Sequence, residues 1–218
     1  MIVAIDGPAG SGKSAIARMV GENTGFTYIN SGLFYRALTR KVLNAGRHPG
    51  DREQVLPVIE NTRLQWRDGE LYLDDEPIAE HELRTDEIDA HVAQLSAVSE
   101  VRTLVNAALR DSARRQHSVV EGRDITTVVF PDAEVKIYLD AGIDARAERR
   151  YRENTSGLSL VELKAAIADR DRRDREKQHG GLKRSEDAFY LDTSDLTINT
   201  VYDTVMKTIR LKVNQENR

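Results

Sequence analysis

Short apolar runs of strand length alternate with longer stretches of helical periodicity along most of the 218-residue chain. The strand-like runs are IVAI (2–5), FTYIN (26–30), SVVEG (118–122), EVKIYLD (134–140) and AFYLD (188–192). Helical patterns fill the intervals, around residues 13–23, 34–45, 97–115, 143–153, 159–177 and 199–213. Strands that are buried on both faces have near-continuous apolar sequences. The pattern therefore predicts an α/β fold, with a doubly wound, five-stranded parallel sheet covered by helices.

One segment departs from this alternation. Residues 62–78 carry Asp68 and Gly69 between two runs of alternating polarity, which predicts a β-hairpin because a tight hairpin turn favours positive φ at its centre. An antiparallel hairpin does not fit a doubly wound parallel sheet. Residues 37–100 are therefore predicted to form an inserted α/β subdomain.

The segments 1–36 and 101–218 are then predicted to form the core domain, with a short lid at about residues 149–159. With 39% hydrophobic and 31% charged residues, the chain can build one sizeable core. The absence of cysteine excludes disulfides, thiolate metal sites and a cysteine nucleophile. The apolar runs are of strand length, which argues against a membrane partner. The N-terminus lacks a basic region typical of a secretion signal, which favours a cytoplasmic protein. The net charge of −4 argues against nucleic-acid binding.

The candidate chemistry begins with GPAGSGKS at residues 7–14, which matches the phosphate-binding pattern G-x-x-x-x-G-K-[ST] between a predicted strand and a predicted helix. Its glycines let backbone N–H groups surround a phosphate, and the N-terminus of the following helix attracts the anion. Lys13 is expected to reach the β- and γ-phosphates, and Ser14 to bind Mg²⁺. The predicted ATP-binding residues of this loop are Gly7, Pro8, Ala9, Gly10, Ser11, Gly12, Lys13, Ser14 and Ala15.

The size of the chain and its lack of a guanine-reading N-K-x-D pattern favour a small-molecule kinase over a GTPase or a motor ATPase. Polar residues at the carboxyl ends of strands in an open α/β sheet face the ligand crevice, and SGLFYR (31–36) and EGRD (121–124) hold such positions. Each candidate segment has a plainer alternative. These alternatives are a helix cap for 31–36, loop solvation for 121–124, an exposed basic helix end for 146–157 and a solvated helix with ion pairs for 167–177.

A resemblance to a known family narrows these alternatives. IDGPAGSGKS, SGLFYR, the hairpin insertion, ELRTDEI, VSEVR, GRDITTVVFPDAEVKIYLDA and RDRRDREK follow the same order as in bacterial cytidylate kinases, nearly end to end. The chain thus resembles a P-loop nucleoside monophosphate kinase. The resemblance implies Mg²⁺-dependent phosphoryl transfer from ATP to CMP and dCMP, with the inserted subdomain binding the monophosphate. It also implies a monomer.

The same resemblance implies roles for individual residues. The implied CMP-binding residues are Ser31, Tyr35, Arg36, Arg102, Gly122, Arg123, Asp124, Arg170, Asp174 and Lys177. Lid contacts with ATP are expected from Arg146, Arg149 and Arg150, and the implied catalytic residues are Lys13, Arg123, Arg149 and Arg170. Mg²⁺ is expected at Ser14 and, through a water molecule, at Glu121.

Several positions depart from the family's pattern. Asn30 and Glu121 each stand where aspartate is usual, Thr126 where glycine is common, Ala93 where a base-contacting serine is typical, and Lys177 where arginine is typical. Asp89, His91 or Gln94 could supply a base contact instead, or be ordinary surface residues. The sequence therefore leaves open another acceptor, such as UMP or AMP, and a regulatory nucleotide-binding module that performs no transfer.

Overall fold

The computed structural model describes residues 1–153, 157–177 and 179–216, with side chains as far as residue 213. Its strands are β1 Ile2–Asp6, β2 Thr27–Asn30, β3 Leu64–Arg67, β4 Glu70–Leu73, β5 Glu76–Ile78, β6 Ser118–Gly122, β7 Val135–Asp140 and β8 Phe189–Asp192. Its helices are α1 Lys13–Thr24, α2 Ser31–Asn44, α3 Arg52–Ile59, α4 Asp86–Leu95, α5 Ser99–Arg114, α6 Ile143–Glu153, α7 Leu160–Glu176 and α8 Ile198–Glu216. None of the helices in these ranges is long and apolar enough to cross a membrane.

The larger sheet has five strands in the order β2-β6-β1-β7-β8. Strand β1 pairs in parallel with β6 and β7, and β7 pairs in parallel with β8. All five strands coincide with the apolar runs of the sequence, so the predicted α/β fold with a five-stranded parallel sheet is confirmed. Because β6 lies beside β1, the EGRD segment leaves the sheet next to the glycine-rich loop that follows β1.

By its internal contacts the chain divides into two compact units, Met1–Tyr28 with Gln116–Arg218, and Ile29–Arg115. In the first unit, helices α1 and α8 pack against the sheet around a fully buried apolar core. The members of that core are Val3, Ile5, Ile16, Ala17, Val20, Val119, Val135, Ile137, Leu139, Val201, Val205, Met206 and Ile209. Strands β1 and β6 are buried along almost their whole length, as their near-continuous apolar sequences predict.

The second unit contains the predicted hairpin, with β3 and β4 antiparallel about a turn in which Asp68 and Gly69 have φ of 53° and 83°. A second tight turn, with positive φ at Asp74 and Asp75, leads into β5. The hairpin is therefore confirmed but belongs to a three-stranded sheet. Trp66 on β3 is 9% exposed and stacks on Phe34, with ring centroids 6.2 Å apart, which identifies it as a core residue.

The second unit begins and ends at different residues from the predicted subdomain 37–100. Helices α2 and α5 both belong to it, because α2 packs against α4 and α5, and α5 packs against β3. Helices α3 and α4 were not predicted from periodicity. Local capping defines both, since the side chain of Asp51 accepts from the N–H groups at the start of α3, and Thr85 accepts from Ile88 N in α4.

Candidate active site

The phosphate loop connects β1 to α1 through three glycines with positive φ, namely Gly7 at 152°, Gly10 at 78° and Gly12 at 90°. Gly7 is the most constrained of them, because a Cβ at that position would lie 1.9 Å from the carbonyl oxygen of Leu139. Helix α1 begins immediately after Gly12, at Lys13. The loop thus brings backbone N–H groups and a helix N-terminus to one place, as an anion site requires.

Lys13 is 4% exposed and lies over the loop, where its Nζ donates to the Pro8 carbonyl at 2.7 Å and to Ser11 Oγ at 3.4 Å. Burial, and after it the positive charge of Arg123, lower the pKa of Lys13 to about 7. The carboxylates of Glu121 and Asp6 oppose this effect only in part. A cation that is costly to hold without an anion is suited to binding a phosphate.

Glu121, at the end of β6, is buried and accepts a hydrogen bond from Ser14 Oγ at 2.7 Å. The hydroxyl of Tyr28 donates to the same carboxylate oxygen at 3.4 Å, and the Arg18 guanidinium lies 5.2 Å from the Tyr28 ring. A loop hydroxyl next to a carboxylate on the neighbouring strand is an oxygen donor pair that fits Mg²⁺ bound to phosphates. Within the described ranges, no group of three or more histidine, aspartate or glutamate side chains could hold a metal ion.

Asp6 ends β1 directly before the loop and is fully buried. Its carboxylate accepts from Ile125 N at 2.9 Å, from Thr126 N at 2.7 Å and from Thr126 Oγ1 at 2.7 Å. Burial raises the pKa of Asp6, although these hydrogen bonds and the charge of Lys13 lower it in part. The π-helical turn that follows EGRD is thus fastened to the last residue before the phosphate loop.

Arg123, in the EGRD segment, donates from Nε to Asp174 Oδ2 of helix α7 at 2.9 Å. Lys177 donates to the other oxygen of the same carboxylate at 3.0 Å. Burial raises the pKa of Asp174, but the two cations outweigh it and hold that pKa well below its usual range. Burial likewise lowers the pKa of Arg123, yet the nearby carboxylates leave it above its ordinary value. Arg123 and Asp174 are therefore both charged at neutral pH.

Two further residues of the expected acceptor side lie in the same unit. Arg170, on α7, is half-buried, and its positive charge contributes to the lowered pKa of Lys13. Asp124 is 5% exposed, and its backbone carbonyl accepts from Val128 N and Val129 N in the π-helical turn. Lys13, Arg123 and Arg170 therefore form a positively charged group, because the charges of both arginines act on the lysine.

The arginines of α6 differ from one another in their surroundings. Arg146 is 4% exposed, donates to the Ala141 and Ala9 carbonyls and pairs with Asp171. Arg149 donates from Nη1 to Thr193 Oγ1 at 3.0 Å and from Nη2 to Ser194 O at 3.4 Å. Arg150 is more exposed, with its Nε 3.9 Å from Glu153.

The lid was expected at residues 149–159. Helix α6 ends at Glu153, and Ser159 caps α7 by accepting from Glu162 N. Residues 154–156 of the expected lid lie outside the described residues.

The second unit, considered by itself, contains the other expected acceptor residues. Asn30 caps α2 by accepting from Gly32 N at 2.9 Å, so Ser31 is the first residue of that helix. Arg36 is 8% exposed and donates from Nη1 to the Leu83 carbonyl at 2.9 Å, while its Nη2 pairs with Asp89.

Arg102 is also buried, with Nη1 3.4 Å from the Ser96 carbonyl and its guanidinium 5.7 Å from the Tyr35 ring centroid. Of the three candidates for a replacement base contact, Asp89 is engaged with Arg36. His91 is engaged through Nδ1 with the Glu87 carbonyl of its own helix.

Four residues that the motifs did not identify contribute to the first unit's site: Asp6, Tyr28, Asp171 and Thr193. Thr193 is 1% exposed, and its single Oγ1–H lies within hydrogen-bonding distance of two carbonyl oxygens, that of Asp140 at 2.9 Å and that of Ser11 at 3.2 Å. It thereby joins the phosphate loop to the carboxyl ends of β7 and β8. Its position directly after a predicted strand is the signal that could have identified it.

A parallel α/β sheet, a glycine-rich loop that presents lysine and serine at a helix start, and an acid on the adjacent strand define a P-loop phosphotransferase. A family model described as cytidylate kinase matches residues 3–211. The chain belongs to the cytidylate kinase family, which comprises nucleoside monophosphate kinases, so the resemblance carried by its motifs is confirmed.

Two named relatives span almost the whole chain. The cytidylate kinase of Borrelia duttonii (strain Ly) is 37% identical over 97% of this chain and 99% of its own length. That of Borrelia hermsii (strain HS1 / DAH) is 39% identical over the same shares. A solved structure of an uncharacterized protein from Eubacterium ventriosum ATCC 27560 shares the fold, with a TM-score of 0.55 and 12% identity over 96% of this chain and 98% of that chain.

Proposed function

We propose that the protein transfers the γ-phosphoryl group of ATP to CMP, and also to dCMP, in a Mg²⁺-dependent reaction that yields ADP and CDP or dCDP. The observation that carries this proposal is the Ser14–Glu121 hydrogen bond beside the buried Lys13, in a chain of the cytidylate kinase family. It supports a site for a metal–triphosphate complex at the loop. The charged Arg123–Asp174–Lys177 cluster in the same unit supports a neighbouring site for a second anion.

On the donor side, the loop N–H groups and Lys13 would bind the β- and γ-phosphates. Ser14 and, through a water molecule, Glu121 would hold Mg²⁺, which supplies charge neutralisation at the transferring phosphate. Arg149 is our candidate for a contact with ATP, because Thr193 holds it at the side of the loop. Arg150, which is more exposed, is a second candidate.

On the acceptor side, Arg123 and Arg170 would clamp the monophosphate, because guanidinium groups bind phosphate oxygens bidentately. Asp174 would orient Arg123 and contact the sugar, and Lys177 would keep positive charge at that end of α7. From the second unit, Ser31, Tyr35, Arg36 and Arg102 are our candidates for recognition of the nucleoside and its phosphate.

The transfer itself needs no general base. A phosphate monoester has a second pKa of about 6 and is largely dianionic at neutral pH. One of its oxygens forms a bond to the γ-phosphorus while the bond from that phosphorus to the β–γ bridging oxygen breaks, and ADP leaves with the electron pair. Lys13, Arg123 and Arg170 stabilise the charge that spreads over the transferring group.

A panel of monophosphates tests the proposal. ADP release is measured with CMP, dCMP, UMP, AMP and GMP, for the wild type, Lys13→Met and Arg123→Met. The exposed Arg172→Met, on the same helix as Arg170, serves as a matched control. We expect CMP to be the best acceptor, both site variants to lose about 100-fold or more in turnover, and the control to match the wild type.

Three results would overturn the proposal. Faster transfer to UMP or AMP would assign another acceptor. ATP binding without transfer to any monophosphate would indicate a regulatory nucleotide-binding module. Near-normal turnover in Lys13→Met or Arg123→Met would reject the assigned roles.

A further inference from the structure

The pair of Arg146 on α6 and Asp171 on α7 is the most deeply buried ion pair described in the first unit. The two side chains are 5% and 4% exposed, and Arg146 Nη1 lies 2.7 Å from Asp171 Oδ2. Arg146 also donates from Nε to the Ala141 carbonyl at 2.8 Å and from Nη1 to the Ala9 carbonyl at 3.2 Å. The guanidinium is therefore fixed by β7's end, by the phosphate loop and by α7 at once.

The contact with Ala9 bears on phosphate binding without requiring Arg146 to touch a nucleotide. A trans peptide directs its carbonyl and the following N–H to opposite sides. Holding the Ala9 carbonyl toward Arg146 therefore turns the Gly10 N–H to the other side of the loop. The side chain of Arg146 packs closely against Gly10. A Cβ added to Gly10 would lie only 3.3 Å from the Cβ of Arg146. N–H groups of such loops are what bind the phosphates.

The contact with Asp171 extends the connection to the acceptor side. Asp171 lies one helical turn before Asp174, whose carboxylate holds Arg123 and Lys177, and it directly follows Arg170. Buried polar contacts therefore run from the Ala9 carbonyl through Arg146 and Asp171 to the part of α7 that holds the acceptor-side cations.

We propose that Arg146 and Asp171 form a positioning pair that fixes the phosphate loop relative to the acceptor-binding face of α7. This inference rests on the proposed function and deepens it. It replaces the expectation that Arg146 is a lid arginine in contact with ATP, because its Nε and Nη1 donate to backbone carbonyls and Asp171 neutralises its charge. The pair acts through other groups and touches neither substrate.

A double-mutant cycle tests the pair. The variants are Arg146→Met, Asp171→Asn and the combination, and Asp169→Asn on the exposed Asp169–Arg172 pair of the same helix is the matched control. Asp171→Asn keeps the side-chain shape, removes the negative charge and replaces one acceptor oxygen by an NH2 donor. Arg146→Lys keeps the positive charge but lacks the planar guanidinium group with its several N–H donors. Each variant is measured for kcat, for KM of both substrates, for the ATP dissociation constant without acceptor, and for its urea midpoint.

We expect Asp171→Asn and Arg146→Met each to lower kcat by about 10- to 100-fold, because even a small displacement of the reacting groups slows the transfer strongly. The combined variant should be no slower than the slower single variant, since the two residues act as one unit. Asp171→Asn should leave the ATP dissociation constant within about threefold of the wild type while it raises KM for CMP. Arg146→Lys should recover part of the loss, and the control should stay within about twofold in all constants.

The inference is overturned if Asp171→Asn behaves like the control while Arg146→Met alone weakens ATP binding, because Arg146 would then bind ATP directly. It is also overturned if the two losses in kcat multiply in the combined variant. Should Arg146→Met not fold, Arg146→Lys with Asp171→Asn completes the cycle.

A wild type that transfers to no monophosphate would refute the proposed function. The ATP dissociation constants of the wild type, the two single variants and the combined variant would then test the pair without any transfer reaction. A tenfold change of that constant in Asp171→Asn would overturn the inference.

Discussion

The lowered pKa of Lys13 predicts that ATP binding is coupled to proton uptake. In the unliganded protein, burial and then the charge of Arg123 hold the pKa of Lys13 at about 7. A bound triphosphate adds negative charge next to the amine and favours the ammonium form, so the pKa rises toward its ordinary value of 10.5. Binding above neutral pH must therefore add a proton to Lys13.

The size of the effect follows from the two pKa values. At pH 8.5 a group with a pKa of 7 is only about 3% protonated, so binding takes up about 0.9 proton or more. At pH 6 the same group is about 90% protonated, and uptake falls to about 0.1 proton. By linkage, raising the pH from 7.0 to 8.5 weakens the apparent affinity for ATP by about 15-fold.

Isothermal titration calorimetry at pH 8.5, in buffers of high and low ionisation enthalpy, measures the proton count directly. The control is Lys13→Arg, in which the guanidinium stays charged in both states and takes up no proton. The difference between the two proteins isolates Lys13 from other groups that titrate. Absence of uptake in the wild type at pH 8.5, or equal uptake in Lys13→Arg, would refute this account of the loop.

Three further predictions concern the first unit. Gly7→Ala should abolish ATP binding and lower Tm, measured by calorimetry and thermal unfolding, because its Cβ would lie 1.9 Å from the Leu139 carbonyl oxygen. Thr126→Val should lower the free energy of unfolding, measured in urea, by about 1–3 kcal/mol, because the buried Asp6 carboxylate loses a hydrogen-bond donor. Thr126→Ser keeps a hydroxyl donor and should retain most of the wild-type free energy of unfolding. Because the pKa of Asp174 is depressed, its carboxylate stabilises the fold above its unfolded value of 3.8, and this contribution is lost as the pH falls through the folded value. Unfolding measured from pH 7 to pH 2 should therefore show Asp174→Asn less stable than the wild type at pH 7, with the difference narrowing below about pH 4.

Most of the larger sheet could be predicted because its central strands β6, β1 and β7 are largely buried, so their apolar runs stand out from the helices between them. The hairpin could be predicted because Asp68 and Gly69 meet the backbone requirement of its turn locally. Strand β5 was missed because it is three residues long and contains Pro77, and its turn uses Asp74 and Asp75 at positive φ without a glycine.

The phosphate loop and the EGRD segment could be assigned from sequence because their residues are contiguous. Pairings between distant segments could not be assigned in this way. Arg146 resembled any exposed arginine of a basic helix, and only the packing of α6 against α7 brings it to Asp171. The hydrogen bonds between Asp6 and the turn after EGRD join positions about 120 residues apart, and no local sequence pattern predicts such a contact.

Three departures from the family's pattern have local explanations. Asn30 caps α2 through its side-chain oxygen, a role that asparagine and aspartate perform equally well. Glu121 reaches Ser14 at 2.7 Å in spite of the longer side chain. Thr126 adds a hydroxyl donor to Asp6 where a glycine would offer only its N–H. The departures at Asn30, Glu121 and Thr126 therefore preserve or strengthen contacts next to the phosphate loop and α2.

The central claim is that the γ-phosphoryl group of ATP is passed to CMP. The most direct test gives the protein Mg²⁺, ATP labelled with ¹⁸O in its γ-phosphate, and an equimolar mixture of CMP, UMP, AMP and GMP. Mass spectrometry then identifies which product carries the label. We predict that the label appears first and predominantly in CDP, with little in inorganic phosphate. Label that appears mainly in another diphosphate, or in inorganic phosphate alone, would contradict the claim.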